Sequence, residues 1–153
     1  MAKKIIETSR AWLLDFGRGV KAAVGPHEMS HVTLSADLFD VPHAPDFCNE
    51  VLFWQDYILP VLDVHSFLKK QKIIRAHSGI VGIAIYQESS EKALTYAGLH
   101  LAETPSIIFV SDEQACELPS QMEIWAPITI ACFTHKNESI PVIDLAKLFS
   151  GTV

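Results

Sequence analysis

The alternation of apolar and polar residues predicts a protein built from short β-strands. The clearest unit spans residues 51–68, VLFWQDYILPVLDVHSFL, in which two apolar and β-branched runs flank the polar dipeptide Gln55-Asp56. Apolar runs on either side of a polar dipeptide are typical of a β-hairpin. Asp63 follows the second run, where a carboxylate can accept hydrogen bonds from the free N–H groups that begin a helix. The unit therefore predicts a hairpin over 51–62 and a short helix over 63–69.

The same unit occurs a second time, about half a chain later. Residues 132–149 read CFTHKNESIPVIDLAKLF and align with the first copy without gaps, with Pro141 on Pro60 and Lys136-Asn137 at the turn. Two copies are too few for a repeat array. The repeat therefore predicts a two-lobed β protein.

Short strands are also predicted between and around the two hairpins. They cover residues 11–16, 20–24, 32–34, 73–86, 93–101, 106–110 and 124–133. Gly25-Pro26 is predicted to start one or two helical turns over 27–31, because proline suits the first position of a helix. Frequent short strands with polar turns favour a barrel or a sandwich.

Residues 36–49 are predicted to form an irregular loop, because they hold two prolines and three aspartates. The loop is interpreted as part of the folded domain rather than as a linker, because it contains several large apolar residues. These side chains are expected to be buried: Leu38, Phe39, Val41 and Phe47.

The composition narrows the classes of function. Asp and Glu outnumber Lys and Arg by 18 to 12, which gives a formal net charge of −6 and argues against nucleic-acid binding. The apolar run at residues 80–86 is far shorter than the roughly 20 residues that cross a bilayer, so no membrane insertion is expected. Apolar residues make up 49% of the chain, a surplus that a partner's surface could bury.

The cysteines and the N-terminal residues indicate a cytoplasmic protein. Residues 1–12 carry basic side chains but no apolar core of a signal peptide. Cys48, Cys116 and Cys132 show no paired spacing, which is typical of reduced thiols in a cytoplasm. Cys116 and Cys132 lie in apolar strand contexts and are expected to act as small hydrophobic residues.

One motif predicts metal chemistry. His27, Glu28 and His31 form an HExxH string, and on a helix the two histidines would share a face and bind zinc while the glutamate activates water. The predicted helix is short, begins at a proline and lacks a long apolar flank. A zinc-dependent hydrolase is therefore an alternative rather than the leading prediction.

No other motif predicts an enzyme. The sequence has no P-loop, no glycine-rich dinucleotide fingerprint and no serine nucleophile elbow. The remaining histidines are scattered through different predicted elements: His43, His65, His77, His100 and His135. We therefore expect a non-enzymatic protein with no catalytic residue, no bound metal and no cofactor.

Several segments resemble a known family when they are taken in order. They are the opening strand around Trp12, the segment 23–32, the loop prolines Pro42 and Pro45, ILPVLD at 58–63, AGL at 97–99 and IPVIDL at 140–145. From about Arg10 to Phe149 this order resembles the CheW-like chemotaxis coupling domain. The resemblance implies one domain over 10–150, made of two intertwined lobes. Residues 1–9 are predicted to form a flexible leader before it.

The resemblance also implies a fold and a role. The fold is all-β with two lobes, each a small five-stranded SH3-like β-barrel, and with short helices. The role is that of a cytoplasmic signal-transduction scaffold. Such domains couple the regulatory domain of a chemotaxis-type histidine kinase to the cytoplasmic tip of a chemoreceptor, in swimming, twitching or another taxis. In such a domain residues 27–31 would form a short helix with its histidines in solvent.

The first hairpin departs from the family pattern. The family usually has a glycine where this chain has Glu50, and Arg-Gly at the turn where it has Gln55-Asp56. The arginine is associated with receptor contact, whereas a glutamine amide has fewer donors and no charge. Aromatic residues are enriched in binding hot spots. The predicted partner-binding residues are Phe53, Trp54, Gln55, Asp56 and Tyr57, with Trp54 and Tyr57 exposed unless both pack onto the barrel.

Two other classes of function stay open at this point. One is the zinc-dependent hydrolase built on His27, Glu28 and His31. The other is a small-ligand-binding β-barrel, which the apolar composition favours and which needs an unfilled lobe interior. The groove between the lobes is a second candidate binding surface for the scaffold.

Overall fold

The computed structural model describes residues 8–69 and 79–150, in which β-strands predominate. The strands are β1 (Thr8–Gly17), β2 (Val20–Val24), β3 (Met29–Thr33), β4 (Leu38–Asp40), β5 (Glu50–Trp54), β6 (Tyr57–Leu62), β7 (Ile80–Tyr86), β8 (Thr95–Leu101), β9 (Ser106–Ser111), β10 (Thr129–His135) and β11 (Glu138–Ile143). The α-helices are α1 (Val64–Lys69) and α2 (Leu145–Ser150), and 3₁₀ segments span Asp46–Cys48, Asp112–Gln114 and Ser120–Ile128. None of the helices in this part of the chain has the length and apolar character of a membrane-crossing span.

The strands form two sheets, one in each lobe. One sheet has five strands in the order β10-β11-β2-β1-β9, and the other has six in the order β3-β7-β8-β6-β5-β4. The predicted all-β, two-lobed fold is confirmed. The second sheet has a sixth strand, because Leu38–Asp40 pairs with β5, so the prediction of an irregular loop over 36–49 is wrong at these residues.

The internal repeat of the sequence is also a repeat of backbone geometry. Gln55 and Asp56 have φ angles of 45° and 66°, and Lys136 and Asn137 have φ angles of 48° and 64°. Two successive residues with positive φ make the tight turn that matches the right-handed twist of a hairpin. Both predicted turns are therefore confirmed, at the predicted residues.

Each hairpin leads into a short helix that begins at an aspartate. The Ser66 N–H donates to Oδ1 of Asp63 at 3.3 Å, and the Lys147 N–H donates to Oδ1 of Asp144 at 3.2 Å. The carboxylates satisfy N–H groups that have no partner within the helix. The predicted helix after Asp63 is confirmed, and α2 follows Asp144 in the same way.

The largest hydrophobic cluster is shared by the two lobes. It contains Leu14 and Val24 from the five-stranded sheet and Leu62 and Leu99 from the six-stranded sheet, all without exposed surface. Trp125 from the third 3₁₀ segment joins them and is 5% exposed. Burying one large apolar side chain contributes about 1.5–3 kcal/mol, so this cluster binds the lobes to each other.

The prediction of helical turns over 27–31 is wrong. The Glu28 N–H donates to the Gly25 carbonyl at 3.0 Å, and the Gly25 N–H donates to Oε1 of Glu28 at 2.7 Å. These bonds close a turn over 25–28, and strand β3 begins at Met29. In β3, Val32 lies opposite Gly82 of β7. The backbone groups after the turn therefore bond to a distant strand instead of to a helix.

The strand predicted over 124–133 is shorter than expected. Residues 124–128 belong to the 3₁₀ segment, and β10 begins at Thr129. Pro127 has no N–H to donate to a neighbouring strand, and Trp125 anchors the segment in the core. The start of the strand predicted at 73 and the basic residues of 70–75 lie outside the described residues, as do residues 1–7.

Replacement of Gly98 tests the packing at the join between β8 and β6. Gly98 lies opposite Val61, and a Cβ there would be 3.0 Å from Cγ2 of Val61 and 3.0 Å from Cγ1 of Val81. Both valines are buried and β-branched, so they cannot move aside. We expect Gly98→Ala to lower the free energy of unfolding by about 1–3 kcal/mol in urea denaturation.

The matched control for this substitution is Gly82→Ala. A Cβ at Gly82 would be equally close to its neighbours, but these are the ends of the Met29 and Leu101 side chains, at 3.0 Å from Sδ and Cδ1. Such atoms can move by rotation about a side-chain bond. A loss of stability for Gly82→Ala as large as that for Gly98→Ala would contradict the packing argument.

The first hairpin turn offers a second test. Asp56 has a φ of 66°, a conformation that strains residues with a Cβ and that glycine adopts freely. We expect Asp56→Gly to raise the free energy of unfolding by about 0.5–1 kcal/mol. Asp56→Val should lower it, since a β-branched residue fits this conformation worst. Urea denaturation with equal or reversed effects of the two variants would contradict the assigned turn.

Candidate binding surface

The first hairpin places the residues beside its turn on two opposite faces of the sheet. Trp54 pairs with Tyr57, and Phe53 pairs with Ile58. Side chains alternate between the faces along a strand, so Phe53 and Ile58 share one face while Trp54 and Tyr57 share the other. The five predicted partner-binding residues thus lie at one end of the hairpin but do not form one continuous surface.

The face that carries Phe53 and Ile58 is apolar and open to solvent. Phe53 is 58% exposed, Ile58 is 63% exposed and Phe39 of β4 is 50% exposed. The rings of Phe39 and Phe53 meet edge to face, with their centroids 5.2 Å apart. We call Phe39, Phe53 and Ile58 the apolar hairpin face. Exposed apolar residues that adjoin one another are typical of interaction sites.

Phe39 was expected in the core, and that prediction is wrong. Strand β4 lies at the edge of the sheet, where Leu38 is opposite Leu52 and Phe39 is opposite Val51. Leu52 is buried, so Leu38 points inward and the next residue points outward. Val41 is also exposed, at 37%. The alternation along β4 would have identified Phe39 as a surface residue if the strand had been recognised.

The other face of the turn carries an aromatic cluster. The Trp54 ring lies 5.3 Å from that of Tyr96 and 6.1 Å from that of His31, between centroids. The rings of Tyr57 and Tyr96 are 5.9 Å apart, and Tyr57 is 54% exposed. Trp54 is half-buried, so it packs onto the sheet while Tyr57 keeps much of its surface in solvent. Trp54 therefore holds the turn in place.

The second hairpin is an internal comparison for the first. The alignment of the two repeat units places Thr134 on Phe53 and Ser139 on Ile58. Thr134 and Ser139 pair across the second hairpin as Phe53 and Ile58 pair across the first. The same backbone unit therefore folds with two hydroxyl side chains at these positions. Folding does not require the apolar pair, which favours a role for it in binding.

Glu50 stands where the family that the sequence resembles usually has a glycine, and its side chain contacts the buried His100. Its Oε1 lies 2.9 Å from Nε2 of His100, and the two side chains are 20% and 6% exposed. Glu50 begins β5 and His100 lies on β8, with β6 between these strands. The contact therefore ties the base of the first hairpin to the interior of its sheet.

The HExxH residues do not have the geometry of a zinc site. His27 is exposed in the turn, Oε1 of Glu28 accepts the Gly25 N–H, and His31 lies on strand β3 with its ring near Trp54. The motif needs a helix to bring both histidines to one face, and no helix forms there. Among residues 8–69 and 79–150, no group of three or more His, Cys, Asp or Glu side chains could hold a metal ion.

Side chains fill the interior of the six-stranded lobe. One cluster contains Leu52, Leu59, Val61, Val81 and Ile83, each no more than 4% exposed. A binding barrel for a small ligand needs an open cavity at this place. The packing of this lobe therefore argues against the hypothesis of a small-ligand-binding β-barrel.

A groove of about 440 Å³ lies between the lobes beside α1. Three of the polar side chains at its walls are already paired: Nζ of Lys21 lies 3.3 Å from Oε2 of Glu138, and Nε2 of His65 is hydrogen-bonded to the Gly17 carbonyl at 2.7 Å. Trp125 forms part of the apolar wall. Because these pairs would have to break for a ligand to use them, the apolar hairpin face is the stronger candidate surface.

Comparison with known proteins identifies the fold. No family model matches the sequence, and no curated protein matches it. Among solved structures, the crystal structure of the scaffolding protein TtCheW from Thermoanaerobacter tengcongensis is similar, with a TM-score of 0.71, 14% sequence identity and 90% of each chain covered. The chain therefore has the two-lobed, SH3-like β fold of that scaffolding protein.

Proposed function

We propose that this protein is a non-enzymatic, cytoplasmic signal-transduction scaffold of the chemotaxis-coupling type. Its first partner is the regulatory domain of a chemotaxis-type histidine kinase, which it binds through the first hairpin. One domain over residues 10–150 carries this function. The proposal rests on the apolar hairpin face, displayed on a fold that covers 90% of a scaffolding protein.

The composition of this surface suits a protein partner. Phe39, Phe53 and Ile58 provide an apolar centre, and the exposed Gln55 and Asp56 provide a polar rim at the turn. Protein interfaces commonly combine a desolvated apolar centre with a polar rim. These three apolar side chains carry no nucleophile and no acid–base group, so the surface acts by binding alone.

The position of the surface adds a second mode of contact. Strand β4 is the last strand of the six-stranded sheet, and a related β domain can add its own strand to such an edge. Phe39 lies on this strand, directly beside Phe53. A partner that pairs with β4 would therefore also cover the apolar hairpin face.

Titration calorimetry against the C-terminal regulatory domain of a chemotaxis-type kinase from the same source tests this proposal. We expect micromolar or tighter binding. Phe53→Ser should weaken it roughly 30-fold, since truncation of a hot-spot aromatic residue costs about 2 kcal/mol or more. No binding of the unaltered protein would overturn the kinase as partner.

Phe109→Ser is the matched control for this experiment. Phe109 is 65% exposed and lies on β9, the edge strand of the other sheet. We expect its loss to change the affinity by no more than about twofold, as is usual for surface substitutions outside an interface. Equal weakening by the two variants, with both folded by circular dichroism, would contradict a site on the first hairpin.

The second partner that we propose is the cytoplasmic tip of a chemoreceptor. Gln55→Arg would restore a guanidinium at the turn, with a fixed charge and more donors than the amide. We expect about tenfold tighter binding to the receptor tip, since one hydrogen bond to a charged group contributes about 1.5 kcal/mol. The matched control is Lys136→Arg, which places the same side chain at the aligned position of the second hairpin turn and should leave receptor affinity unchanged. An unchanged receptor affinity of Gln55→Arg would contradict receptor contact through the turn.

A further inference from the structure

Two of the three cysteines are in contact beside the five-stranded sheet. The Sγ atoms of Cys116 and Cys132 lie 3.1 Å apart. Cys132 is on β10, which is an edge strand, and Cys116 follows the 3₁₀ segment Asp112–Gln114. Their apolar strand contexts predict only small hydrophobic residues at these positions. Their contact assigns them to one site.

The backbone holds the two cysteines opposite each other. Ala115 and Phe133 form an antiparallel bridge, and the Cys116 N–H donates to the Cys132 carbonyl at 2.9 Å. Residues that face each other across an antiparallel pair have Cα atoms about 4.5–5.5 Å apart, within the range of about 4.4–6.8 Å that a disulfide spans. The sulfur atoms need to approach by only about 1 Å to reach bonding distance.

Side-chain hydrogen bonds fix the segment beside β10 independently of the thiols. Nε2 of Gln114 donates to the Thr134 carbonyl at 2.9 Å, and the Ser111 N–H donates to Oε1 of Gln114 at 2.9 Å. Gln114 thus joins the 3₁₀ segment to the strand next to the cysteine pair. The thiols are held together before any bond forms between them.

The two thiols differ in reactivity. Burial raises the pKa of the Cys132 thiol to about 12, and the hydrogen bond and charge of Cys116 act in the same direction. Cys132 is 8% exposed, whereas Cys116 is half-buried and within reach of solvent. The thiolate is the nucleophile in disulfide exchange. Cys116 is therefore the thiol that meets an external reagent, and Cys132 reacts from the inside.

We propose that Cys116 and Cys132 are a redox modification site. A low-molecular-weight disulfide oxidises the two thiols to a reversible disulfide bond with each other, and this bond locks residues 112–118 onto β10. The Cys116 thiolate attacks the external disulfide, forms a mixed disulfide and releases the first small thiolate. Cys132 loses its proton to solvent, attacks Sγ of Cys116 and releases the second small thiolate. Two protein thiols are thereby oxidised, and one external disulfide is reduced to two thiols.

The bond would close a loop that contains the 3₁₀ segment Ser120–Ile128. Trp125 in this segment is buried in the shared core, and Leu118 and Met122 pack against the same cluster. Oxidation would therefore restrict opening of a segment that covers the core between the lobes. It would also keep the outer edge of β10 covered, where an open strand could pair with another chain.

Redox titration of the full chain with oxidised and reduced glutathione tests the proposal. Samples are quenched by alkylation and analysed by intact mass and peptide mapping. We expect a loss of two hydrogen atoms from the protein mass, a linked peptide pair containing Cys116 and Cys132, and complete alkylation of Cys48. Amide hydrogen exchange over residues 112–128 should slow by about tenfold or more in the oxidised protein.

Variants separate the pair from the third cysteine. Cys48→Ser should leave the linkage unchanged, whereas Cys132→Ser should stop the reaction at a glutathione adduct on Cys116. If Cys132→Ser does not fold, Cys116→Ser serves instead and should abolish the loss of two hydrogen atoms. Three results would overturn the proposal. They are full alkylation of both Cys116 and Cys132 after the most oxidising conditions, a linkage that includes Cys48, and a Cys116–Cys132 bond without slower amide hydrogen exchange over residues 112–128.

Discussion

The structure depends on contacts between strands that are far apart in the sequence. In the five-stranded sheet, Arg10 of β1 lies opposite Phe109 of β9, and Ala23 of β2 lies beside Val142 of β11. Joining distant segments costs chain entropy that rises only slowly with their separation, and the shared core offsets this cost by burying apolar residues of both lobes. Each lobe therefore stabilises the other. The position of the first hairpin depends on the folding of both lobes.

The internal repeat separates what the fold requires from what the surface adds. The two copies agree even before the hairpin: the Asp63 N–H donates to the Phe47 carbonyl at 2.7 Å, and the Asp144 N–H donates to the Ile128 carbonyl at 2.8 Å. They agree again in turn geometry and in the helices that follow. They differ in the side chains on the exposed face of the hairpin, where the first copy has Phe53 and Ile58 and the second has Thr134 and Ser139. When a structural unit occurs twice, the exposed side chains of one copy can therefore change for binding while the residues that determine its fold are kept.

Local chemistry was sufficient to predict the hairpins, their turns and the aspartate-initiated helices, because each depends on neighbouring residues. The signals that failed were local signals overruled by distant partners. Pro26 suits a helix start, but the residues after Glu28 pair with β7, and Phe39 points outward because β4 joins a sheet edge. The contact between Cys116 and Cys132 depends on the pairing of Ala115 with Phe133, which lie on either side of the third 3₁₀ segment in the sequence. The spacing of the cysteines in the sequence does not reveal this pairing.

The sheet order also constrains how the protein is made. The six-stranded sheet comes from one continuous run, β3 to β8, so its strands leave the ribosome in succession and can pair as they emerge. Strand β2 lies between β1 and β11, and β11 is synthesised long after β2. One edge of the β1–β2 hairpin thus waits without its final neighbour through most of translation. Unpaired strand edges favour aggregation, so this lobe is the one that depends on protection while the chain is still growing.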